Sequence, residues 1–393
     1  MSFFCNNQFL TSFVSRLSAD LLLLHTDIKS YTVIRKLSLQ LLILLSVFSF
    51  LNVRAQIGGT STYRFLNLPN SPRVAAMGGN FVAISDNDLS VGLNNPSLIT
   101  GEMHNAVSLN FVDYFSDINY GFASYSRTYE KAGSFAASMQ YINYGRFTYT
   151  DETGILAEDA GEFSAGEFAL VLGWGRRLDS LFSIGANLKT IYSSFETYNS
   201  FGLGVDVAGS YHSPSGFTAS LIARNIGTQL KTYTAGNNEP LPFEIQLGIS
   251  KRLQHLPFRY SVLLTNLQKW DLTYYDPAED EIDPFTGEVK TKSKAGEFAD
   301  KAMRHVVIGG EFIPTKNFSF RLGYNYQRRQ EMKVDSKRST VGFSWGIGLR
   351  VSKFNFSYAR SAYHLAGSPN FLSVAFNLSD FSDNRKSADG GLQ

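Results

Sequence analysis

The sequence predicts an all-β protein: a transmembrane antiparallel β-barrel of about fourteen strands with an N-terminal hatch. Three observations lead there. Segments of roughly 9–11 residues alternate large apolar with small or polar side chains, giving each a lipid-compatible face and a wet one. The connections between these segments alternate between short and long. Composition agrees: Phe 32 and Tyr 20 are abundant, Pro 11 is sparse, and charged residues make up 18%, against about 25% in soluble proteins.

The chain opens with a leader. Arg35-Lys36 precede the apolar run Leu37–Leu51, and Val53-Arg54-Ala55 resembles a small-residue cleavage site. Residues 1–55 are therefore expected to be a signal peptide and leader, with Gln56 as the mature N-terminus. A membrane anchor is the competing reading, disfavoured because the run is shorter than about 18 residues. The stretch before Lys36 is long for a signal peptide, which points to a translation start downstream of Met1. Cys5 is the only cysteine and falls in the leader, so the mature chain has no disulfide framework and no thiol nucleophile. The net charge is +2, with five Lys/Arg against two Asp in the first 55 residues, leaving the remainder near −1. That balance gives no basic face for nucleic acid.

Residues 56–105 depart from the strand template and are expected to form the hatch, packed in or under the barrel. Leu68-Pro69 and Ser71-Pro72 punctuate the segment, Gly78 and Gly79 make a small-residue turn, and Phe81–Ile84 is expected as a short strand. Asp86-Asn87-Asp88 ahead of apolar residues predicts a capped helix, and Asn94, Asn95, Pro96 and Ser97 a turn.

The barrel is expected over residues 106–381, with a polar tail at 382–393. Strands are expected to begin near Ala106, Ile118, Gly133, Glu162, Leu181, Ser200, Phe217, Pro242, Phe258, Met303, Phe318, Thr340, Phe354 and Phe371. The clearest is Phe318–Gln327: Phe318, Phe320, Leu322, Tyr324 and Tyr326 share one face, and Ser319, Arg321, Gly323, Asn325 and Gln327 the other. Tight connections at Arg177–Ser180, Ser213–Gly216, Gln254–Pro257, Pro314–Asn317 and Ser352-Lys353 alternate with longer ones at Gly145–Gly161, Ile226–Pro240, Leu267–Ala302, Arg328–Ser339 and Ser361–Asn370. An outer-membrane barrel has short periplasmic turns and long outer loops; a secreted β-sandwich has no reason to sort its loops by parity. Both barrel ends then fall on the periplasmic side.

The inward faces should carry Glu167, Lys189, Asp206, Glu244, Glu311 and Arg321. These mixed charges suit either a selectivity lining or pairing with one another and with the hatch. Trp174, Trp270 and Trp345, with Tyr192, Tyr274 and Tyr326, suit interfacial girdles, though ordinary strand aromatics look the same. Two connections are charged: Asp276, Glu279, Asp280, Glu281 and Asp283 in one, Arg328, Arg329, Lys333, Lys337 and Arg338 in the other. They are candidates for pairing with each other, for docking a partner, or for simple solvation. Nothing predicts an enzyme, metal or cofactor. The histidines are scattered singly, Gly202-Leu-Gly204 and Trp345-Gly-Ile-Gly348 lack a following helix, and Ser382-Asp383-Asn384 has no companion Lys-Thr-Gly.

Gly78-Gly79, Ala83-Ile84, Asp86–Asp88 and Asn94-Asn95-Pro96-Ser97 resemble the N-terminal pattern of FadL-like outer-membrane barrels, with Ser97 where the wider pattern has Ala. The run from Gly58 to Pro69, followed by Arg73-Val-Ala-Ala-Met-Gly-Gly79, resembles more narrowly the PorV/PorQ family of Bacteroidetes. That resemblance spans the mature chain. It implies a non-enzymatic outer-membrane component of the type IX protein secretion system, holding a PorZ-like surface protein and, through it, the PorU/PorV attachment complex. The wider FadL-like likeness implies the alternative, a transporter of hydrophobic small molecules. Outer-membrane lipid is the expected surrounding in either case.

Overall fold

The computed structural model describes residues 61–150, 153, 161–273, 293–334, 339–364 and 367–381. The leader with Cys5 and Gln56, the residues Asp276, Glu279, Asp280, Glu281, Asp283, Lys337 and Arg338, Tyr274 and the polar tail lie outside the described residues.

Fourteen antiparallel strands close into a barrel: β1 Ala106–Asp113, β2 Asn119–Tyr129, β3 Gly133–Thr148, β4 Glu162–Arg177, β5 Phe182–Phe195, β6 Tyr198–His212, β7 Phe217–Lys231, β8 Glu244–Arg252, β9 Phe258–Leu264, β10 Val306–Thr315, β11 Phe318–Asn325, β12 Phe343–Val351, β13 Phe354–Ser361 and β14 Asn370–Asn377. Each pairs with the next, and β1 closes on β14 from Ala106↔Asn377 to Asp113↔Asn370. Closure leaves no free edge at the ends of the sheet, which a strand protein in lipid requires. The side-chain alternation is the cause of the two-faced wall. On β5, for example, Phe182, Ile184, Leu188 and Tyr192 are exposed outward while Ser183, Gly185, Asn187 and Lys189 are buried inward. Trp174 and Trp345 lie on the outward face near opposite ends of the wall, Trp174 towards the short turns and Trp345 towards the long loops.

Every expected strand start lies within three residues of an observed one, and the loop parity is present. The short side carries residues 130–132, 178–181, 213–216, 253–257, 316–317 and 352–353; on the other side only 114–118 and 196–197 are comparably short.

The structure differs from the sequence expectation in particular places. β11 ends at Asn325, whose side chain accepts from the Arg328 backbone N–H at 2.9 Å and starts a helix, Tyr326–Met332; Tyr326 and Gln327 therefore leave the strand. A second helix, Lys294–Arg304, occupies the end of the connection expected to be irregular up to Met303. β3 and β7 run past Gly145 and Ile226 because the irregularities there are register shifts within paired strands, not strand ends. Phe81–Ile84 forms no strand: its side chains are buried, and the apolar run signals burial rather than pairing.

Strand lengths divide the wall. β3 to β7 have 14 to 16 residues, whereas β8 to β14 have 7 to 10. At ~3.3 Å per residue and ~40° tilt, nine residues rise about 23 Å, close to the ~25 Å apolar band of such barrels, and fifteen rise about 38 Å. The β3–β7 wall therefore stands taller, on the long-loop side.

Candidate functional site

Residues 61–105 pack inside the barrel. Helix α1 (Pro72–Ala76) touches β11 to β14, and helix α2 (Leu89–Asn94) touches β1 and β2. The 3-10 turn Pro96–Leu98 touches β4, β5 and β6. Ser71 and Asp88 cap the two helices through their side-chain oxygens, as short helices need. Val74, Met77, Phe81, Val82, Val91 and Leu98 form an apolar cluster with inward residues of the wall.

Two inward glycines allow the closest approaches. A Cβ at Gly185 would overlap the backbone of Pro96 and Ser97, and one at Gly323 would overlap that of Met77 and Gly78. Of the glycines in Gly202-Leu-Gly204 and Trp345-Gly-Ile-Gly348, Gly202 faces the Tyr63 ring and Gly346 faces Ala76, whereas Gly204 faces Leu241 and Gly348 faces Ser319 and Arg321.

Asn95 organises the Asn-Pro turn. Its Oδ1 accepts from the Ser97 backbone N–H at 3.0 Å and from Ser97 Oγ at 2.7 Å. Its Nδ2 donates to the Val82 carbonyl at 2.5 Å and to Ser210 Oγ at 3.2 Å. Ser97 Oγ also shares a hydrogen bond with Ser210 on β6 at 2.5 Å, so the serine found in place of alanine ties the turn to the wall. Asn94 Nδ2 donates to Asn70 Oδ1 at 3.0 Å, and Gly78, in the expected small-residue turn, adopts φ +93°.

All six inward charges expected from sequence are buried: Glu167, Lys189, Asp206, Glu244, Glu311 and Arg321. Glu311 sits between its direct cross-strand partners, Arg321 on β11 and Arg259 on β9. Arg321 Nε donates to its Oε1 at 2.9 Å and Arg259 Nη1 to its Oε2 at 2.8 Å. Arg73 of α1 completes the cluster, donating through Nε and Nη2 to the two Glu311 oxygens at 2.8 and 2.9 Å. The same guanidinium reaches Asp86 at 2.6 and 2.9 Å and Asp88 at 3.1 Å, and Arg259 also reaches Asp86 at 2.9 Å. Burial alone would push the Asp86 carboxyl up, but Arg73 and Arg259 outweigh it and bring it from 3.8 to about 2. The three carboxylates and three guanidiniums balance in charge, and they join α1 and the Asp86–Asp88 turn to β9, β10 and β11.

A second polar centre lies at the β6–β7 bulge, where Arg224 and Asn225 stand opposite Asp206. Lys189 Nζ lies 2.8 Å from Asp206 Oδ2 and donates to Asn225 Oδ1 at 2.7 Å. Asn187 Nδ2 donates to Asp206 Oδ2 at 2.9 Å and to the Leu93 carbonyl at 3.1 Å, which links this centre to α2. Glu167 accepts from Tyr144 at 2.5 Å, and Glu244 accepts from the Asn266 backbone N–H at 3.3 Å.

Of the basic connection, Arg328 turns inward: its Nη2 donates to the Gly78 carbonyl at 3.3 Å and its guanidinium lies 4.0 Å from the Tyr363 ring centre. Arg329 donates to the Ser339 carbonyl at 2.7 Å, and Lys333 is exposed. Arg73, Asp86 and Arg259 were not singled out from sequence as members of a charged site. Arg259 could have been, since it alternates with outward Phe258 and Tyr260; Arg73 lies in a segment without strand periodicity.

Neither a protein-family model nor a curated protein matches the chain by sequence. The fold is similar to solved structures. The toluene transporter TodX of P. putida matches with a TM-score of 0.50 and 11% identity, over 79% of this chain and 99% of that one. The toluene transporter TbuX of Ralstonia pickettii has a TM-score of 0.47 and 12% identity, over 79% and 99%. Identity this low establishes fold alone: a closed antiparallel β-barrel similar to that of TodX.

Proposed function

We propose that this chain is a non-enzymatic outer-membrane anchor, a barrel that holds a partner protein at its long-loop end. The observation that carries this reading is the filled lumen: residues 61–105 are fixed to the inward wall by the Arg73–Glu311 pair, the Asn95–Ser210 contact and the glycine approaches at Gly185 and Gly323. A lumenal segment held to the wall by buried ion pairs suits a support better than a path. The PorV/PorQ resemblance gives the finer form, a component of type IX secretion that retains a PorZ-like surface protein and the PorU/PorV attachment complex. Deleting the gene tests it. Cells lacking the barrel are expected to shed one large surface protein into the medium, whereas unchanged surface retention would contradict the proposal.

The second reading is passage of hydrophobic small molecules. It is favoured by the fold shared with a protein described as a toluene transporter. Uptake of toluene into proteoliposomes carrying the purified barrel, above that of empty vesicles, would support it over anchoring.

A further inference from the structure

The pairing of β7 is lopsided. Its ladder with β6 continues to Phe201↔Lys231, but its ladder with β8 stops at Arg224↔Glu244. Residues 226–231 therefore carry a strand edge facing the β8 side, on the part of the tall wall that rises beyond the shorter strands. The chain after β7 does not cover that edge with its own backbone. Residues 238–243 return along the inner side, where the Glu239 N–H donates to Gln229 Oε1 at 2.8 Å, the Pro242 carbonyl accepts from Asn225 Nδ2 at 2.9 Å, and Leu241 is buried. Pro240 and Pro242 have no N–H to give a ladder. Among the described residues, no backbone hydrogen bond joins 226–231 to 238–243.

The edge is also open on its surface. Ile226 is 45% exposed and Leu230 60% exposed, with Gly227, Thr228 and Lys231 exposed beside them. Natural edges are guarded by charge, proline, a bulge or a covering element; here the guards within the strand are Lys231 and the register shift at Leu230, between the pairs Phe201↔Lys231 and Gly202↔Gln229.

We infer that the β7 edge at residues 226–231 takes an added antiparallel strand from an extended peptide segment of a partner protein. The chemistry of the occupant follows from the edge. A row of strand N–H and C=O groups is matched by another peptide backbone. Exposed Ile226 and Leu230 ask for apolar residues opposite them, and Lys231, whose Nζ donates to Asn199 Oδ1, asks for an acidic one. A second copy is ruled out by geometry. Antiparallel pairing of two β7 edges needs a twofold axis perpendicular to the strands, which would insert the two copies in opposite orientations. A twofold along the membrane normal leaves the tilted strands crossed.

This inference deepens the anchoring reading, and its test stands apart from it. The full-length barrel is purified in detergent micelles and mixed with a labelled peptide of about six residues, alternating valine and threonine with one glutamate. The peptide is expected to bind and to slow amide exchange at residues 226–231. The double variant Ile226→Lys/Leu230→Lys should weaken binding roughly tenfold or more. Lys231→Glu should reverse the preference towards a lysine-bearing peptide. Heat-modifiable gel migration confirms that each variant is folded. No slowing at 226–231 with the peptide would overturn the inference. So would protection already present in the barrel alone, which would mean that the chain covers its own edge, or protection that grows with barrel concentration, which would mean a second copy. Surface retention that survives the double variant would leave the anchor standing and eliminate this edge.

Discussion

Arg73 and Glu311, 238 residues apart in the chain, meet inside the barrel through two parallel hydrogen bonds of 2.8 and 2.9 Å. One belongs to the segment inside the barrel and the other to the wall, so this pair ties the two together directly. Glu311 is fully buried and faces three guanidiniums, and its removal leaves those charges without their common acceptor.

Glu311→Gln is accordingly expected to cost about 3–5 kcal/mol, the scale for breaking one partner of a buried ion pair. The barrel strands should remain, since their ladders do not depend on this side chain. Protease cleavage within residues 61–105, mapped by mass spectrometry on the barrel in micelles, should appear in the variant and not in the parent.

Acid should weaken the same tie. The Asp86 carboxyl is held at about 2, below its ordinary 3.8, so its contribution is complete above about pH 4 and is lost as pH falls through about 2. A shift of this size corresponds to about 2 kcal/mol. Protease sensitivity of the lumenal segment should rise across that window in the parent, with a flatter profile in Asp86→Asn.

The outward wall and the loop parity were legible in the sequence because both are local. A period of two in side chains such as Phe318, Phe320 and Leu322 needs no knowledge of the partner strand, and turn residues such as Ser213–Gly216 mark strand ends by themselves. Inward charges such as Glu311 and Arg321 were legible for the same reason. Their partners were not. Arg73 sits in a helix of five residues, and nothing local tells a guanidinium which carboxylate it will reach. The end of β11 is not legible, because Tyr326 and Gln327 continue the alternation while the capping bond of Asn325 starts a helix there.

Gly185→Val is expected to displace the Asn-Pro turn, because a side chain there overlaps the Pro96 backbone, which has no rotamer to move. Loss of amide-exchange protection should be confined to residues around 95–99. Protection lost across β4, β5 and β6 instead would show that Gly185 serves the wall.

Ser97→Ala removes the bonds to Asn95 and Ser210 but leaves Ser210 its contacts with Asn95 and Ser220, so no buried group is orphaned. Its cost should be about 1 kcal/mol in urea unfolding. Asn95→Ala strips partners from the Val82 carbonyl and the Ser97 N–H as well, and should cost at least twice as much.

The most direct test of an anchoring role is gentle affinity purification of the tagged protein from detergent-solubilised outer membranes, with proteins and small molecules in the eluate identified together. An anchor is expected to bring down one large surface protein in stoichiometric amount, with attachment-complex components. A barrel recovered alone, carrying a hydrophobic small molecule in its lumen, would contradict anchoring and establish transport in its place.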